Sequence, residues 1–298
     1  DAPDRNDHTT TFWKDETGKI YFFQGLGVST WEDCAILIRT SEDNGVTWSD
    51  PYWAMQEHNS AHGFVESSTF RNSLGNIVIT SDGLDEGTRL MISEDNGLTW
   101  RHSSGQTAGV HAPMAEIAGG GVIAFSRKAA IDGKMPVQYS YDWGESWTSR
   151  EASIFEPVSS GRRNVLLRLK EGPLLLVTFG TLGDTDMVCA VSYDDGQTWP
   201  EMKLMTDGSG DALETTDGDI FTLDSDQAEP EGYCAVWQGK NDMIHVISSR
   251  QHYEFNYAWL LSPVPQQTYN NVALGKPVTV DSVYSATYPG SNAVDGDK

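Results

Sequence analysis

An eight-residue motif recurs four times in this chain and constrains its fold more than any other feature. It reads SEDNGVTW from Ser41, SEDNGLTW from Ser93, SYDWGESW from Ser140 and SYDDGQTW from Ser192. The starts lie 52, 47 and 52 residues apart, and a period of about forty to fifty residues is typical of propellers and similar arrays. The motif aspartate can accept hydrogen bonds from backbone N–H groups, and its glycine allows positive φ. We expect the tryptophan to fill the gap between neighbouring units.

Short strand patterns occupy the stretches between these motifs. Each of the first four units reads as three strands, the motif turn and a fourth strand, rich in β-branched and aromatic residues. A fifth unit without the motif is predicted from strands at 233–238, 243–249 and 253–260, after a long acidic loop at 207–232. No helix is predicted. The pattern indicates an all-β propeller with five visible blades.

Composition excludes several classes of partner. The 298 residues include 43 Asp and Glu against 20 Lys and Arg, a formal charge of −23, which argues against nucleic acid or anionic membrane as the main partner. No stretch approaches the length of a membrane span. Cys34, Cys189 and Cys234 are too far apart for a disulfide framework or a CxxC site, and we expect them to be buried. Neither a P-loop nor HxxH or HxH spacing appears, so no cofactor and no metal are predicted.

The repeated motif resembles the Asp-box, or bacterial neuraminidase repeat, of the sialidase superfamily, over residues 9–261. The stretches GRRNVLLRLKEGPLLLV from Gly161 and IHVISSRQHYEFNYAWL from Ile244 are similar to a bacterial, sialidase-like branch. The resemblance implies a six-bladed β-propeller of sialidase type, with the sixth blade expected upstream of Asp1. It also implies a secreted or extracellular bacterial protein whose signal segment lies outside this chain.

The carboxy-terminal residues change in character. We expect a propeller at 1–261, a linker at 262–270, and a further module beginning at 271. The sequence NVALGKPVTVDSVYSATYPGSNAVDGDK from Asn271 resembles the opening of a discoidin, or coagulation factor type C, domain. That resemblance implies the first strands of a glycan-binding β-sandwich.

Candidate functional residues collect on one predicted face of the propeller, where loops enter first strands and join second to third strands. An arginine pairs bidentately with a carboxylate or sulfate, and a histidine can move protons near neutral pH. Because adjacent residues of a strand alternate in direction, either Arg162 or Arg163 could face the channel. The candidate catalytic residues are Tyr253, His111, Glu66 and Asp132. The candidate substrate-binding residues are Arg163, Arg162, Arg127, Arg5, His8, His62 and His252.

The resemblance also implies a chemistry. Sialidases hold the substrate carboxylate with three arginines, use a tyrosine nucleophile activated by a glutamate, and use an aspartate as acid. We therefore predict a glycosidase that acts on an acidic oligo- or polysaccharide, with Tyr253 as nucleophile, Arg163 or Arg162 as one arginine and Arg127 or Arg5 as another. Two alternatives stay open. One is a polysaccharide lyase, in which a histidine or tyrosine removes the proton α to a uronate carboxylate, and the other is a non-catalytic glycan-binding or adhesion propeller.

Overall fold

The computed structural model of the chain describes most of the predicted propeller. The residues described are 6–27, 34–55, 64–83, 86–158, 161–181, 186–205, 212–214, 220–222, 232–248 and 251–263. The chain divides into two compact units, Asp1–Leu261 and Ser262–Lys298. Most of the predicted linker and all of the discoidin-like segment lie outside the described residues.

Five antiparallel sheets follow one another along the chain as five blades, with the strands of each sheet in chain order. Blade 1 contains β1 (Asn6–Lys14), β2 (Ile20–Gly27), β3 (Cys34–Ser41) and β4 (Tyr52–Met55). Blade 2 contains β5 (Phe64–Arg71), β6 (Ile77–Asp82), β7 (Thr88–Ser93) and β8 (Arg101–His102). Blade 3 contains β9 (Met114–Glu116), β10 (Val122–Phe125), β11 (Pro136–Ser140) and β12 (Glu151–Ala152). The all-β, five-bladed prediction is confirmed, and the sixth blade stays a prediction.

The last two blades are joined by an additional strand pair. A short strand, β13 (Arg162–Arg163), precedes blade 4, which contains β14 (Val165–Arg168), β15 (Leu174–Phe179), β16 (Met187–Ser192) and β17 (Glu201–Leu204). Between blades 4 and 5 lie the hairpin strands β18 (Ala212–Glu214) and β19 (Ile220–Thr222) and the short strand β20 (Gly232–Tyr233). Blade 5 has three strands, β21 (Ala235–Gln238), β22 (Met243–Ile247) and β23 (His252–Asn256). Strands β13 and β20 pair in parallel, with Arg163 beside Tyr233.

Two elements differ from the sequence prediction. The predicted strand at 253–260 ends at Asn256, and the helix α1 (Tyr257–Leu261) follows it. The reason is a local cap, because the Asn256 side-chain oxygen accepts a hydrogen bond from the Trp259 backbone N–H at 2.9 Å. The predicted loop at 207–232 also contains the β18–β19 hairpin, so it is not irregular throughout.

The repeated motif forms the predicted turn in every blade that carries it. In blade 2, Asp95 accepts hydrogen bonds from the Thr99 backbone N–H at 2.8 Å and from the Ser93 hydroxyl at 2.8 Å. The Ser93 hydroxyl accepts in turn from the Gly97 N–H at 2.7 Å, and Gly97 has φ of 89°. Because the aspartate satisfies donors within its own turn, the motif is explained by architecture alone.

The motif tryptophans pack between blades in three of the four cases. Trp100 lies edge-on to Phe23 of blade 1 at 5.5 Å, and Trp199 is buried against aromatic rings of blade 3. Trp147 packs on the core between blades 2 and 3. Trp48 of blade 1 is 37 % exposed, contrary to the expected burial, because no preceding blade is present among the described residues to receive it.

First strands surround the central channel. A cavity of about 320 Å³ lies between the first strands of blades 2 to 5, and Ser68, Met114, Val165 and Val236 line it. The apolar cores lie between blades instead, and the largest spans blades 3 to 5. Propeller packing thus brings the beginnings of four first strands together around one axis.

Two composition-based expectations can be compared with the structure. Cys34, Cys189 and Cys234 are buried, as predicted, and they are thiols rather than disulfides. Among the described residues, no helix is long and apolar enough to span a membrane.

Candidate active site at the channel mouth

Four side chains occupy equivalent positions at the beginning of four consecutive blades. In blades 2 to 5, the turn between the first and second strands is closed by a hydrogen bond from the backbone N–H of a residue with positive φ, and these residues are Gly75, Gly120, Gly172 and Asp242. The residue nine positions before each of them is, in the same order, Glu66, His111, Arg163 and Tyr233. Each lies two or three residues before the cavity-lining residue of its blade. The repeat therefore places one chemically active side chain per blade at the channel mouth.

Glu66 is the buried centre of this cluster. Its Oε2 atom accepts from Arg163 Nη1 at 2.7 Å, and its Oε1 atom lies 2.5 Å from His111 Nδ1. Only 2 % of Glu66 and 9 % of Arg163 are exposed. A buried carboxylate is tolerated only when it is paired and hydrogen-bonded, and here one cation lies on each side of it.

Asp82, at the end of β6, is the second carboxylate that contacts His111 Nδ1. Its carboxylate accepts from the His111 backbone N–H at 2.9 and 3.0 Å, and its Oδ2 atom lies 2.8 Å from His111 Nδ1. The Thr88 hydroxyl donates to Asp82 as well. His111 itself has φ of 50°, which a non-glycine residue adopts only where its surroundings impose it. Asp82 thus orients both the backbone and the ring of His111.

These contacts set the charge of each group. Burial opposes a charged His111, but the charge of Glu66 and hydrogen bonds to Asp82 and Glu66 outweigh it and raise its pKa to about 9. Burial also works against ionised Glu66, but Arg163 and His111 hold its pKa below the usual range. Burial and the charge of Glu66 raise the pKa of Asp82. At neutral pH the cluster therefore contains an imidazolium beside an ionised Glu66.

Tyr233 closes the cluster on its exposed side. Its ring lies 5.9 Å from the His111 ring and 5.0 Å from the Arg163 guanidinium carbon. Arg127 Nη1 donates to the Tyr233 hydroxyl at 3.0 Å and to the Arg162 carbonyl at 3.2 Å. Tyr233 is 36 % exposed. The phenol oxygen is thus a reachable group beside positive charge, where an oxyanion is stabilised.

Arg127 differs from Arg163 in one important respect. It is 7 % exposed, yet among the described residues it pairs with no carboxylate. A buried guanidinium with only neutral partners favours an anion from outside. Arg163, by contrast, already has Glu66.

The structure brings together four of the predicted site residues: Glu66, His111, Arg163 and Arg127. Arg162 points elsewhere, since its guanidinium lies over the Phe179 ring at 5.4 Å. Asp132 lies on the exposed turn between β10 and β11. His8 lies at a bulge in β1, and its Nε2 atom is buried without a hydrogen-bond partner. Arg5 and His62 lie outside the described residues.

Tyr253 and His252 are not part of this cluster. They lie on β23, the third strand of blade 5, where Tyr253 packs against the core between blades and His252 contacts His245. The tyrosine of the last blade that lies at the channel mouth is Tyr233, which the sequence analysis did not select. The nine-residue spacing to the turn, shared with Glu66, His111 and Arg163, is the sequence signal that could have identified it.

The fold and the cluster define a β-propeller with Asp-box turns and a charged, partly accessible site at its channel mouth. A family model described as the BNR repeat-like domain matches residues 3–263, so the chain belongs to that family. Among curated proteins, a sialidase of Micromonospora viridifaciens is 27 % identical over 285 residues, covering 82 % of this chain and 39 % of that protein. The chain thus spans about two fifths of this relative's length.

Solved structures share the fold. Hadza microbial sialidase Hz136 superposes with a TM-score of 0.59 at 18 % identity, covering 84 % of this chain and 52 % of that one. Trypanosoma rangeli sialidase in complex with 2,3-difluoro-KDN gives 0.53 at 14 % identity, with 84 % and 43 % coverage. The α-L-arabinanase of Penicillium chrysogenum complexed with arabinobiose gives 0.51 at 16 % identity, with 86 % and 78 % coverage. At these identities the likeness concerns the fold.

Proposed function

We propose that this protein is a glycosidase of sialidase type acting on an acidic glycan, with Tyr233 rather than Tyr253 as its nucleophile. The observation that carries the proposal is the position of Tyr233 at the channel mouth, with its hydroxyl bonded to Arg127 and its ring beside Arg163 and His111. The sialidase relative supports the reaction class. A secreted location remains part of the proposal.

Arg127 supports an acidic substrate. Its buried guanidinium pairs with no carboxylate among the described residues, and a substrate carboxylate would supply the missing anion. Tyr233 would then lose its phenolic proton to water and bond to the anomeric carbon as the glycosidic bond breaks, and the leaving oxygen would take a proton from an acid. Water would afterwards attack the anomeric carbon, release the sugar and return a proton to the Tyr233 oxygen. Asp132, on the loop that follows Arg127, stays the predicted acid.

The Glu66–His111–Asp82 group has a different role in this proposal. Glu66 is occupied by two internal cations, and it neutralises Arg163 before any substrate arrives. We assign to it the positioning of Arg163 and His111 around Tyr233. His111 faces the Tyr233 ring and, as an imidazolium, adds positive charge beside the phenol oxygen.

A matched pair of variants tests the nucleophile. Tyr233→Phe should lower turnover of an aryl α-sialoside or of an acidic oligosaccharide roughly 10²- to 10⁴-fold, because it removes the reacting oxygen and keeps the ring. Tyr253→Phe is the control and should retain activity, since that residue packs against the core. Full activity of Tyr233→Phe, with loss in Tyr253→Phe, would restore the original assignment.

The Tyr233 hydroxyl beside Arg127 also favours a second candidate, a polysaccharide lyase. In that reaction Tyr233 would remove the proton α to a uronate carboxylate while Arg127 neutralises the carboxylate. Products of a lyase absorb as conjugated alkenes, whereas those of a hydrolase do not. Incubation with a uronate polysaccharide and with a sialoside, followed by absorbance and reducing-end assays, separates the two. Binding without turnover of either substrate would favour the glycan-binding alternative.

A further inference from the structure

A second group of ionisable side chains lies on blade 5, away from the channel mouth. His245 on β22 pairs across the sheet with Glu254 on β23, and His252 pairs with Ile247, two residues along β22. Because strand residues alternate in direction, these three side chains share one face of the sheet. The opposite face carries Val246 and Phe255, which are buried in the core.

The three ligand atoms have the separations of a zinc site. His245 Nδ1 lies 3.0 Å from His252 Nε2 and 3.6 Å from Glu254 Oε2, and all three atoms lie within 4.8 Å of one another. Tetrahedral coordination with Zn–N bonds of about 2.0–2.1 Å places neighbouring ligand atoms about 3.3 Å apart. The two measured contacts lie on either side of that value. Trp237 stacks on His245 at 5.8 Å and restricts its ring.

The two imidazoles contact each other through one ring nitrogen each. Their centroids lie 5.3 Å apart with 13° between the planes, and His245 Nδ1 lies 3.0 Å from His252 Nε2. A metal ion between the rings would take the place of this nitrogen–nitrogen contact.

Charge distinguishes this group from the other set of possible ligands, Glu66, Asp82 and His111. There, Arg163 already donates to Glu66 at 2.7 Å, so the positive charge of Arg163 would repel a metal ion. In the group on blade 5, the contact of Glu254 is internal, with His245 Nδ1 at 3.6 Å, and no lysine or arginine of the described residues pairs with Glu254. The Glu254 side chain is 50 % exposed, which gives an ion access and leaves room for water as the fourth ligand.

We propose that His245, His252 and Glu254 bind one Zn²⁺ ion on the face of blade 5 opposite its core. Two imidazoles and a carboxylate, with one open position, are a ligand set that zinc accepts. The absence of HxxH or HxH spacing argued against a metal in the sequence. The register of the β22–β23 hairpin brings the three side chains close together, although His245 and His252 are not closely spaced in the sequence.

Zinc titration of the metal-free chain by calorimetry tests the proposal. We expect one ion bound at this site. His252→Ala should weaken binding at least about tenfold, and the double variant His245→Ala/His252→Ala should abolish it. His102→Ala, on β8, is the matched control and should bind as the unaltered chain does.

Thermal melting in EDTA checks that each variant is folded, and Glu254→Gln, on an exposed side chain, provides a second variant if the double variant does not fold. Glu254→Gln should also weaken binding about tenfold. Zinc binding that is unchanged in the folded double variant or in Glu254→Gln would overturn the proposal. So would a failure of the unaltered chain to bind zinc below millimolar concentrations.

Discussion

Arg127 and Arg163 are both buried, but among the described residues only Arg163 pairs with a carboxylate, that of Glu66. Removing Arg163 would leave Glu66 buried with one of its cations lost, whereas removing Arg127 would leave no carboxylate unpaired among the described residues. Arg163→Ala should therefore lower the free energy of unfolding by about 3–5 kcal/mol. Arg127→Ala should chiefly raise KM for an acidic substrate, by the equivalent of about 1.5–3 kcal/mol.

Urea unfolding and steady-state kinetics on both variants measure this difference. Equal stability losses in the two, or a rise in KM in folded Arg163→Ala alone, would contradict it. The sequence analysis assigned substrate binding to Arg163, because the internal partner Glu66 lies 97 residues away in sequence and no local pattern reveals it.

His111 makes stability depend on pH in a defined interval. Its pKa of about 9 in the folded protein exceeds the ordinary histidine value of 6.5, so its contribution to stability is complete below pH 6.5 and is lost as pH rises through about 9. The pKa of Glu66 is lowered in the folded protein, so its contribution to stability has the opposite pH dependence and is lost as pH falls through that lowered pKa. The unfolding free energy of the unaltered chain should therefore fall by on the order of 1–3 kcal/mol between pH 6.5 and 9.

His111→Gln cannot titrate and should show a flatter profile over the same interval. Urea unfolding at several pH values, compared between the two chains, is the measurement. Parallel profiles would mean that His111 is not charged in the folded protein.

At the scale of single elements, the Asp-box turns test whether the repeated motif is structural. Asp95 accepts from Thr99 and Ser93, and these bonds lower its pKa to about 2. Because its pKa is depressed, its contribution is present above the usual value and is lost as pH falls through about 2. Asp95→Ala should lower the melting temperature at neutral pH without changing turnover per folded molecule.

Glu94→Ala is the matched control for Asp95→Ala, since it removes an adjacent charge that makes only an exposed contact with Arg101. It should leave the melting temperature nearly unchanged. Lost turnover in folded Asp95→Ala would assign the motif to function instead. The predicted role follows from residue types alone, because every partner of the aspartate lies within four residues of it.

At the scale of the whole molecule, aromatic packing between blades should determine stability. Phe155 is fully buried, and its ring lies 5.9 Å from Phe125 and 5.2 Å from Trp199, which joins blade 3 to blade 4. Phe155→Ala should cost about 3–5 kcal/mol, through lost burial and a cavity. Phe12→Ala should cost much less, because Phe12 is 62 % exposed on blade 1.

Denaturant unfolding of the two variants gives the comparison. A cost for Phe12→Ala equal to that of Phe155→Ala would show that blade 1 packs that face against another part of the protein. This experiment therefore also bears on the predicted sixth blade, which would need such a face.

The sequence by itself determined the fold and the number of visible blades. Repeated turns and alternating strands are local patterns, and their partners lie within a few residues or in the next strand, so the chain displays them directly. The same locality explains why His111, Glu66, Arg163 and Arg127 were found as candidates, since each follows a predicted loop at a strand end.

Only the tertiary structure decided which contacts those candidates make. Parallel pairing of β13 with β20 places Tyr233 beside Arg163. The arrangement of four blades around one channel brings Glu66 into contact with both Arg163 and His111. The hairpin of β22 and β23 likewise brings His245, His252 and Glu254 together. These contacts join residues by register and by the ring of blades, and the charge and reach of each side chain follow from neighbours that are remote in sequence.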